Sequence, residues 1–338
     1  LGEGGAVIIN NSTAAFSKCS FINNSADKGG AMATTSSSAL TLINCTFSEN
    51  TATGNTGALS LTGTTAATLL FNTFVNNESP TGNTEAIRAT GGTTVSLGNN
   101  AIGNNGTGRQ VRLNGAVGSL GRNVIKQNYP SEPLNLVAIA GDIESTTIDL
   151  GLRATILEDG YGLKYWPITS TTSDLINPAS PGASVPDLDC RNAPRNLKGS
   201  SLVNAYPDAG ACEYTHLRVT NDSGLPGSAN SFLWAIAIAQ QRDDIHYIEF
   251  DIPSPSDILF TSEGKVDEGV YIIDGFSQPL SAIPGPHEIG IPGVTRAVLP
   301  IDFVNGGSHH HGVQFEDNAE GSILQGVSVQ GFDRHGVE

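Results

Sequence analysis

A four-residue motif, Phe-x-x-Asn, occurs three times in the sequence at an almost constant spacing. The copies are Phe21-Ile22-Asn23-Asn24, Phe47-Ser48-Glu49-Asn50 and Phe74-Val75-Asn76-Asn77. The phenylalanines lie 26 and 27 positions apart, and weaker copies begin at Ile102 and Ile125. A second motif, Gly-Gly-Ala or Thr-Gly-Ala followed by an apolar residue, recurs in step with the first. Its alanines are Ala6, Ala31 and Ala58. Repeats of this length indicate stacked, similar structural units.

Apolar and polar residues alternate within each repeat over short runs, as in Ala39–Ile43, and Gly, Asn and Ser interrupt these runs. A period of two predicts short strands joined by tight turns. The repeat is too short for a pair of helices, so a solenoid of short parallel strands is expected, with turns about 4.8 Å apart. We expect the motif phenylalanines to form one column, the motif asparagines to form a hydrogen-bonded column, and the small alanines to point inward.

Composition and charge narrow the functional classes. The chain has 338 residues and a net charge of −16, of which residues 151–338 carry −14. Binding to nucleic acid or to anionic lipid is therefore not expected. No run approaches the roughly 20 apolar residues that a membrane-spanning helix needs. The shift in charge along the chain indicates two differently built regions.

The paired motifs resemble the repeat of chlamydial polymorphic outer-membrane proteins and related bacterial right-handed parallel β-helix surface proteins. The resemblance covers about residues 1–130. It implies a right-handed parallel β-helix in a bacterial protein that is secreted or associated with the outer membrane at the cell surface. Because Leu1-Gly2-Glu3-Gly4-Gly5 reads like the middle of a repeat, we expect the chain to be a piece of a longer protein.

Residues 151–215, the closing segment, break the repeat. The stretch Asp208-Ala209-Gly210-Ala211-Cys212-Glu213-Tyr214 resembles the segment that closes the β-helix in bacterial proteins of the choice-of-anchor type. There an Asp-x-x-Gly-x-x-Arg stretch often precedes it; this chain keeps Arg195 but has Asn192-Ala193 near the expected glycine. Cys190 and Cys212 would lie in the two halves of this element, where a disulfide is one interpretation.

Residues 216–338 resemble the entrance of a second secreted bacterial β-helix, beginning at Leu217-Arg218-Val219-Thr220-Asn221. A helix is predicted at about 230–241, capped by Ser228 or Asn230. Its predicted apolar face consists of Phe232, Leu233, Ile236, Ala237 and Gln240. Such a helix would cover the open strand edges of the first coil. The predicted organisation is therefore two tandem β-helix units, with coils over 1–150, the closing segment over 151–215 and a capped second unit over 216–338.

Parallel β-helices can host polysaccharide lyases and glycoside hydrolases, so catalytic carboxylates were considered. A glycosidase needs two of them about 5–10 Å apart. No acidic pair stacks at matching motif positions in residues 1–150. Asp187 and Asp189 with Arg191 could imitate the calcium and base arrangement of a lyase; a solvated loop or a structural salt bridge is favoured. No cofactor is predicted other than calcium, which acidic residues could bind.

Three other groups have a functional and a structural interpretation. Tyr161, Tyr165 and Trp166 could stack on sugars, although packing is favoured. Cys19 and Cys45 share one repeat position and could form a disulfide or bind a metal, although stacking as buried residues is favoured. For His309-His310-His311 a solvated turn is favoured over a metal site.

The favoured function is a structural or adhesive protein outside the cell, without catalysis, that contacts glycans or other cell-surface molecules. A pectate-lyase-like or glycoside hydrolase enzyme is the first alternative. A filament or sheath component is the second, and either end-to-end or lateral self-association would suit a solenoid.

Overall fold

The computed structural model of the chain is a parallel β-solenoid, which confirms the fold class predicted from the repeats. The residues that the structure describes are 2–63, 65–79, 84–114, 116–127, 142–154, 156–158, 163–168, 173–175, 185–186, 188–191, 193, 195, 207–214, 217–240, 245–253, 257–268, 270–278, 301–306 and 311–337. The chain forms two compact units. The first comprises Leu1–Ile156 and Tyr165–Tyr214, and the second comprises Leu157–Lys164 and Thr215–Glu338.

The first unit consists of short strands that follow one another around each coil. In chain order they are β1 (Val7–Asn10), β2 (Thr13–Ser17), β3 (Ser20–Ile22), β4 (Ser25–Lys28), β5 (Met32–Thr35), β6 (Ala39–Ile43), β7 (Thr46–Ser48), β8 (Thr51–Asn55), β9 (Leu59–Leu61), β10 (Ala66–Leu70), β11 (Thr73–Val75), β12 (Thr84–Ala89), β13 (Thr94–Gly98), β14 (Ala101–Gly103), β15 (Arg109–Leu113), β16 (Ala116–Gly121), β17 (Val124–Lys126) and β18 (Ile143–Ser145). Two strands of two residues follow, β19 (Leu157–Glu158) and β20 (Lys164–Tyr165).

Three parallel sheets run along the first unit. The first sheet is β1-β5-β9-β12-β15, the second is β2-β6-β10-β13-β16, and the third is β3-β7-β11-β14-β17-β18. A small fourth sheet pairs β4 with β8. Each strand pairs with the equivalent strand one repeat later, so equivalent side chains stack in columns.

The corners between the sheets need left-handed backbone. One corner column contains Lys18, Asn44, Phe71, Asn99 and Arg122, all with φ between 54° and 62°. A second column contains Asn23, Glu49, Asn76 and Asn104, with φ between 51° and 57°. Asn accepts this conformation more readily than most residues, which explains why Asn often occupies the third motif position.

The column of motif phenylalanines lies inside the first unit. The rings of Phe21 and Phe47 stack with centroids 4.7 Å apart, and those of Phe47 and Phe74 with centroids 4.6 Å apart. Ala31 and Ala58 are fully buried beside them, whereas Ala6, in the first coil, is exposed. The Ala6 amide donates to the Ala31 carbonyl at 2.8 Å, as the Ala31 amide does to the Ala58 carbonyl at 3.1 Å, so Ala6 continues the alanine column.

The motif asparagines form a hydrogen-bonded ladder. Each side-chain amide donates to the next side-chain oxygen, at 2.9 Å from Asn24 to Asn50, 2.9 Å from Asn50 to Asn77 and 2.8 Å from Asn77 to Asn105. A second ladder joins Asn72, Asn100, Asn123 and Asp142 at 2.9–3.0 Å. The side-chain amides of Asn50 and Asn77 also donate to the backbone carbonyls of Phe21 and Phe47, so the first ladder satisfies these polar groups inside the coil.

The second unit continues with three parallel sheets and a helix. Its elements are β21 (Leu217–Val219), α1 (Phe232–Ala239), β22 (Ile245–Phe250), β23 (Ile258–Phe260), β24 (Gly264–Glu268), β25 (Val270–Asp274), a 3-10 turn (Gly275–Ser277), β26 (Ile301–Asn305), β27 (His311–Asn318), β28 (Ile323–Gln325), β29 (Val327–Gln330) and β30 (His335–Val337). The sheets are β21-β22-β25-β28, β23-β26-β29 and β24-β27-β30. No helix among the described residues is long and apolar enough to span a membrane.

The helix α1 is shorter than predicted and has a different cap. Ser231, not Ser228 or Asn230, accepts the hydrogen bond from the Trp234 amide. Its buried residues include Ala235 and Ala239 instead of the predicted Ala237 and Gln240. The remaining buried residues are Phe232, Leu233 and Ile236, as predicted. Phe232 packs against three phenylalanines of strands β22, β23 and β26, so the helix covers the core of these coils.

Candidate functional site

The closing segment packs against the side of the first unit's coils. Arg195 is completely buried and lies over the Phe71 ring, with 4.2 Å between guanidinium carbon and ring centroid. It donates to Asn44 Oδ1 at 2.6 Å and to Glu213 Oε1 at 2.7 Å. The backbone amide of Ala211 also donates to a side chain of the coils, that of Thr73, at 2.9 Å. The closing segment therefore contacts at least two coils, one at Asn44 and the next at Phe71 and Thr73.

A network of buried charges holds the two halves of the closing segment together. Arg191 forms an ion pair with Asp189 at 2.9 Å, and the Glu213 amide donates to the same carboxylate. Cys190 and Cys212 form a disulfide with Cα atoms 5.6 Å apart. Burial and the neighbouring Asp208 carboxylate raise the pKa of Glu213 well above its usual range. These contacts give Asp189 a structural role, because its oxygens are occupied and it is fully buried.

The predicted aromatic ligand candidates are buried where the structure describes them. Tyr165 is 2% exposed and Trp166 is 4% exposed. The Trp166 indole donates to Ser48 Oγ at 2.9 Å, and the Arg191 guanidinium lies 5.5 Å from the Tyr165 ring centroid. This burial favours packing over sugar stacking. Tyr161 and Asp187 lie outside the described residues.

The remaining candidates for metal or thiol chemistry are the pair Cys19 and Cys45 and the histidines that end at His311. Cys19 and Cys45 are both free thiols, and burial raises the pKa of Cys45 to about 12. A neutral thiol is a poor nucleophile and a poor metal ligand. His311 stacks against His335, with ring centroids 5.5 Å apart. His309 and His310 lie outside the part of the chain that the structure describes.

Glu85 is a fully buried carboxylate in strand β12. It replaces the glycine of the Gly-Gly-Ala motif, since its neighbour Ala86 continues the alanine column. Its carboxylate accepts hydrogen bonds from the backbone amides of Ser79 and Gly108. Burial raises the pKa of Glu85 above its usual range. The side chain therefore closes an irregular corner of the coil and does not face a groove.

An open groove lies between the closing segment and the corner column that contains Lys18 and Asn44. It has a volume of about 460 Å³ and is lined by Ser17, Lys18, Ile43, Asn44, Leu70, Val185, Pro186 and Leu188. Asn44 uses its amide nitrogen to bond Leu188 O at 2.8 Å and its oxygen to bind Arg195. Both polar groups of the Asn44 side chain are therefore bonded to the closing segment. Most of the other residues that line the groove are aliphatic.

The outer face of the second sheet carries small side chains in register. One column contains Thr13, Ala39, Ala66 and Thr94, and the next contains Ala15, Thr41, Thr68 and Ser96. All of them are at least partly exposed, whereas the alternate residues point into the core. The result is a flat surface on which methyl and hydroxyl groups repeat at the spacing of the coils.

The outer face of the first sheet changes character along its length. The column at one register contains Ile8, Ala33, Ser60, Arg88 and Arg112. Ile8 is exposed and Ala33 and Ser60 are buried. The partly exposed Arg88 and Arg112 place two cations side by side at the fourth and fifth coils. Sequence analysis missed this pair because the repeat is degenerate there and the register shifts between Thr84 and Ile87. The one available signal was two arginines nearly one repeat apart.

Comparisons with protein-family models, curated proteins and solved structures found no match. The parallel β-solenoid is thus established from the structure alone. The resemblance to polymorphic outer-membrane proteins and to choice-of-anchor proteins stays a prediction.

Proposed function

We propose that this chain is a non-catalytic adhesive β-solenoid, located outside a bacterial cell or on its surface, that contacts glycans through the outer faces of its sheets. The observation that carries this proposal is the flat second sheet, on which hydroxyl groups of Thr41, Thr68 and Ser96 stack in consecutive coils. A surface with this repeat presents many weak contacts to an extended polymer. Such contacts act together and give useful avidity without a deep pocket.

The disposition of the acidic residues supports a role without catalysis. A glycosidase or lyase needs ionisable groups that face the substrate. Asp189 and Glu213 are instead buried in ion pairs with Arg191 and Arg195, and Glu85 is buried against backbone amides. Each of these carboxylates has a structural partner.

The disulfide supports a location outside the cell. Disulfides persist in oxidising compartments and are rare where the thiol pool is kept reduced. Cys190 and Cys212 are both buried and joined across 22 positions. The relation to polymorphic outer-membrane proteins and the choice-of-anchor type rests on the motifs described above.

Binding of the purified chain to immobilised polysaccharides tests the proposal. We expect the double variant Thr41→Gln/Thr68→Gln to bind about tenfold more weakly, because longer side chains disrupt the flat face of the multivalent surface. The matched control is Ser25→Gln/Thr51→Gln, which changes two exposed hydroxyl residues that are also in register, on the fourth sheet. Release of reducing ends or unsaturated products from any polysaccharide, with or without calcium, would contradict the non-catalytic role.

A further inference from the structure

We propose that Arg88 and Arg112 form an anion-binding site that takes the carboxylate or sulfate groups of an acidic glycan. This inference rests on the proposed glycan-binding function and specifies its ligand class. The site lies on the outer face of the first sheet, at the fourth and fifth coils.

The backbone places the two guanidinium groups side by side. Arg88 on β12 and Arg112 on β15 are register partners in a parallel pair. Register partners in adjacent strands lie about 4.8 Å apart. Both side chains are partly exposed, while the residues that flank each of them, Ile87, Ala89, Val111 and Leu113, are buried in the core. The alternation of the strands thus directs both arginines outward.

Neither cation is neutralised by a residue that the structure describes. No hydrogen bond or ion pair joins Arg88 or Arg112 to any other residue that the structure describes. The Nε atom of Arg88 is buried and has no hydrogen-bond partner. Burial and the neighbouring Arg112 lower the pKa of Arg88. By contrast, Lys28 of the same unit is bound to Glu3 at 2.8 Å. Unmade hydrogen bonds to a charged group are costly, and a bound anion would supply the missing acceptors.

The surroundings of the pair suit a sugar acid. Thr90 and Asn114, which are both at least partly exposed, lie two positions after Arg88 and Arg112, where alternation again directs side chains outward. Their hydroxyl and amide groups can bond sugar hydroxyls next to the anion. Planar guanidinium groups bind carboxylate and sulfate oxygens through paired hydrogen bonds.

The overall charge argues for a glycan over other polyanions. Nucleic acids and anionic membranes are bound through extended basic surfaces that neutralise many charges. This chain has a net charge of −16, and the first unit offers two stacked arginines on this face. A glycan with one acidic group per few sugars matches two cations better than a continuous phosphate backbone does.

The arginine pair also has an energetic signature that separates binding from structure. Like charges directly opposite each other in a sheet are destabilising. Removal of either charge should therefore leave the thermal midpoint of the ligand-free protein unchanged or raise it. A purely structural arginine would show the opposite behaviour.

The test titrates the purified chain with oligogalacturonate, with an uncharged oligosaccharide of equal length and with sodium sulfate, at low ionic strength. We expect Arg88→Gln and Arg112→Gln each to weaken oligogalacturonate and sulfate binding at least about tenfold. Binding of the neutral oligosaccharide should not change. The matched control is Lys126→Gln, which removes the same charge from the third sheet and should bind like the wild type.

The outcomes distinguish this inference from the proposed function. Equal oligogalacturonate binding by the wild type and both arginine variants would overturn the anion site and leave the adhesive role intact. Arginine-dependent sulfate binding without binding of any glycan would overturn both the adhesive role and the glycan assignment of the site. Arginine-dependent binding of a DNA duplex or of phosphatidylserine vesicles in preference to oligogalacturonate would overturn the glycan assignment.

Discussion

The coils of the first unit and its closing segment both bury polar groups, but they satisfy them in different ways. In the coils, neutral amides such as Asn50 and Asn77 repeat the same bond 27 positions apart. In the closing segment, charged groups each have one specific set of partners, as when Arg195 reaches Asn44 across 151 positions. A repeated neutral ladder tolerates the loss of one member better than a buried ion pair does, because it leaves no unpaired charge behind.

The largest effect expected from this comparison is that of Arg195→Met. It leaves the Glu213 carboxylate buried without its cation, which should lower the free energy of unfolding by about 3–5 kcal/mol. Urea denaturation followed by tryptophan fluorescence measures this change. The double variant Arg195→Met/Glu213→Gln should recover part of the loss. If Arg195→Met unfolds at the wild-type urea midpoint, the role given to the ion pair is wrong. Lys126→Met is the control for the loss of a positive charge.

A smaller effect is expected from Asn77→Ala, in the middle of the ladder. This change leaves the backbone amide of Asn50 and the backbone carbonyl of Phe47 without these partners inside the core. It should lower the free energy of unfolding by about 1–3 kcal/mol. Asn24→Ala removes the same side chain at the same motif position in the first coil, where it is partly exposed and water can replace it. We expect that loss to stay below about 1 kcal/mol. Equal losses in thermal or urea unfolding would show that burial does not govern the ladder.

The smallest effect is a pH dependence from Glu85. Its pKa is higher in the folded chain than in the unfolded chain, so the folded state holds the proton more tightly. Stability from this group is therefore fully present below the ordinary glutamate pKa and is lost as pH rises through the raised value. The free energy of unfolding of the wild type should rise relative to that of Glu85→Gln as pH falls from 7 toward 4.5. Parallel pH profiles for the two proteins would contradict this assignment.

The phenylalanine column could be predicted from the sequence, whereas the arginine pair could not. The Phe-x-x-Asn spacing predicted the stacked Phe47 and Phe74 because identical local causes recur in every coil. The pairing of Arg88 with Arg112 was not predicted, because an irregularity between Thr84 and Ile87 shifts the register of the two strands. Register depends on strand pairing, which the local pattern does not specify there. The predicted helix caps, Ser228 and Asn230, were wrong because Asn230 takes a left-handed conformation and Ser231 caps the helix.

The sequence alone determined that this protein is a parallel solenoid. Alternation, turn residues and a period near 27 are local properties, and each repeat needs its neighbour to bury its core. Only the tertiary structure decided how the closing segment docks and which ionisable groups remain on the surface. Arg195 and Trp166 lie far along the chain from Asn44 and Ser48, the coil residues that they contact, and these partners follow from packing in three dimensions. Strand pairing places the partly exposed Arg88 and Arg112 against each other, and neither bonds to another residue that the structure describes.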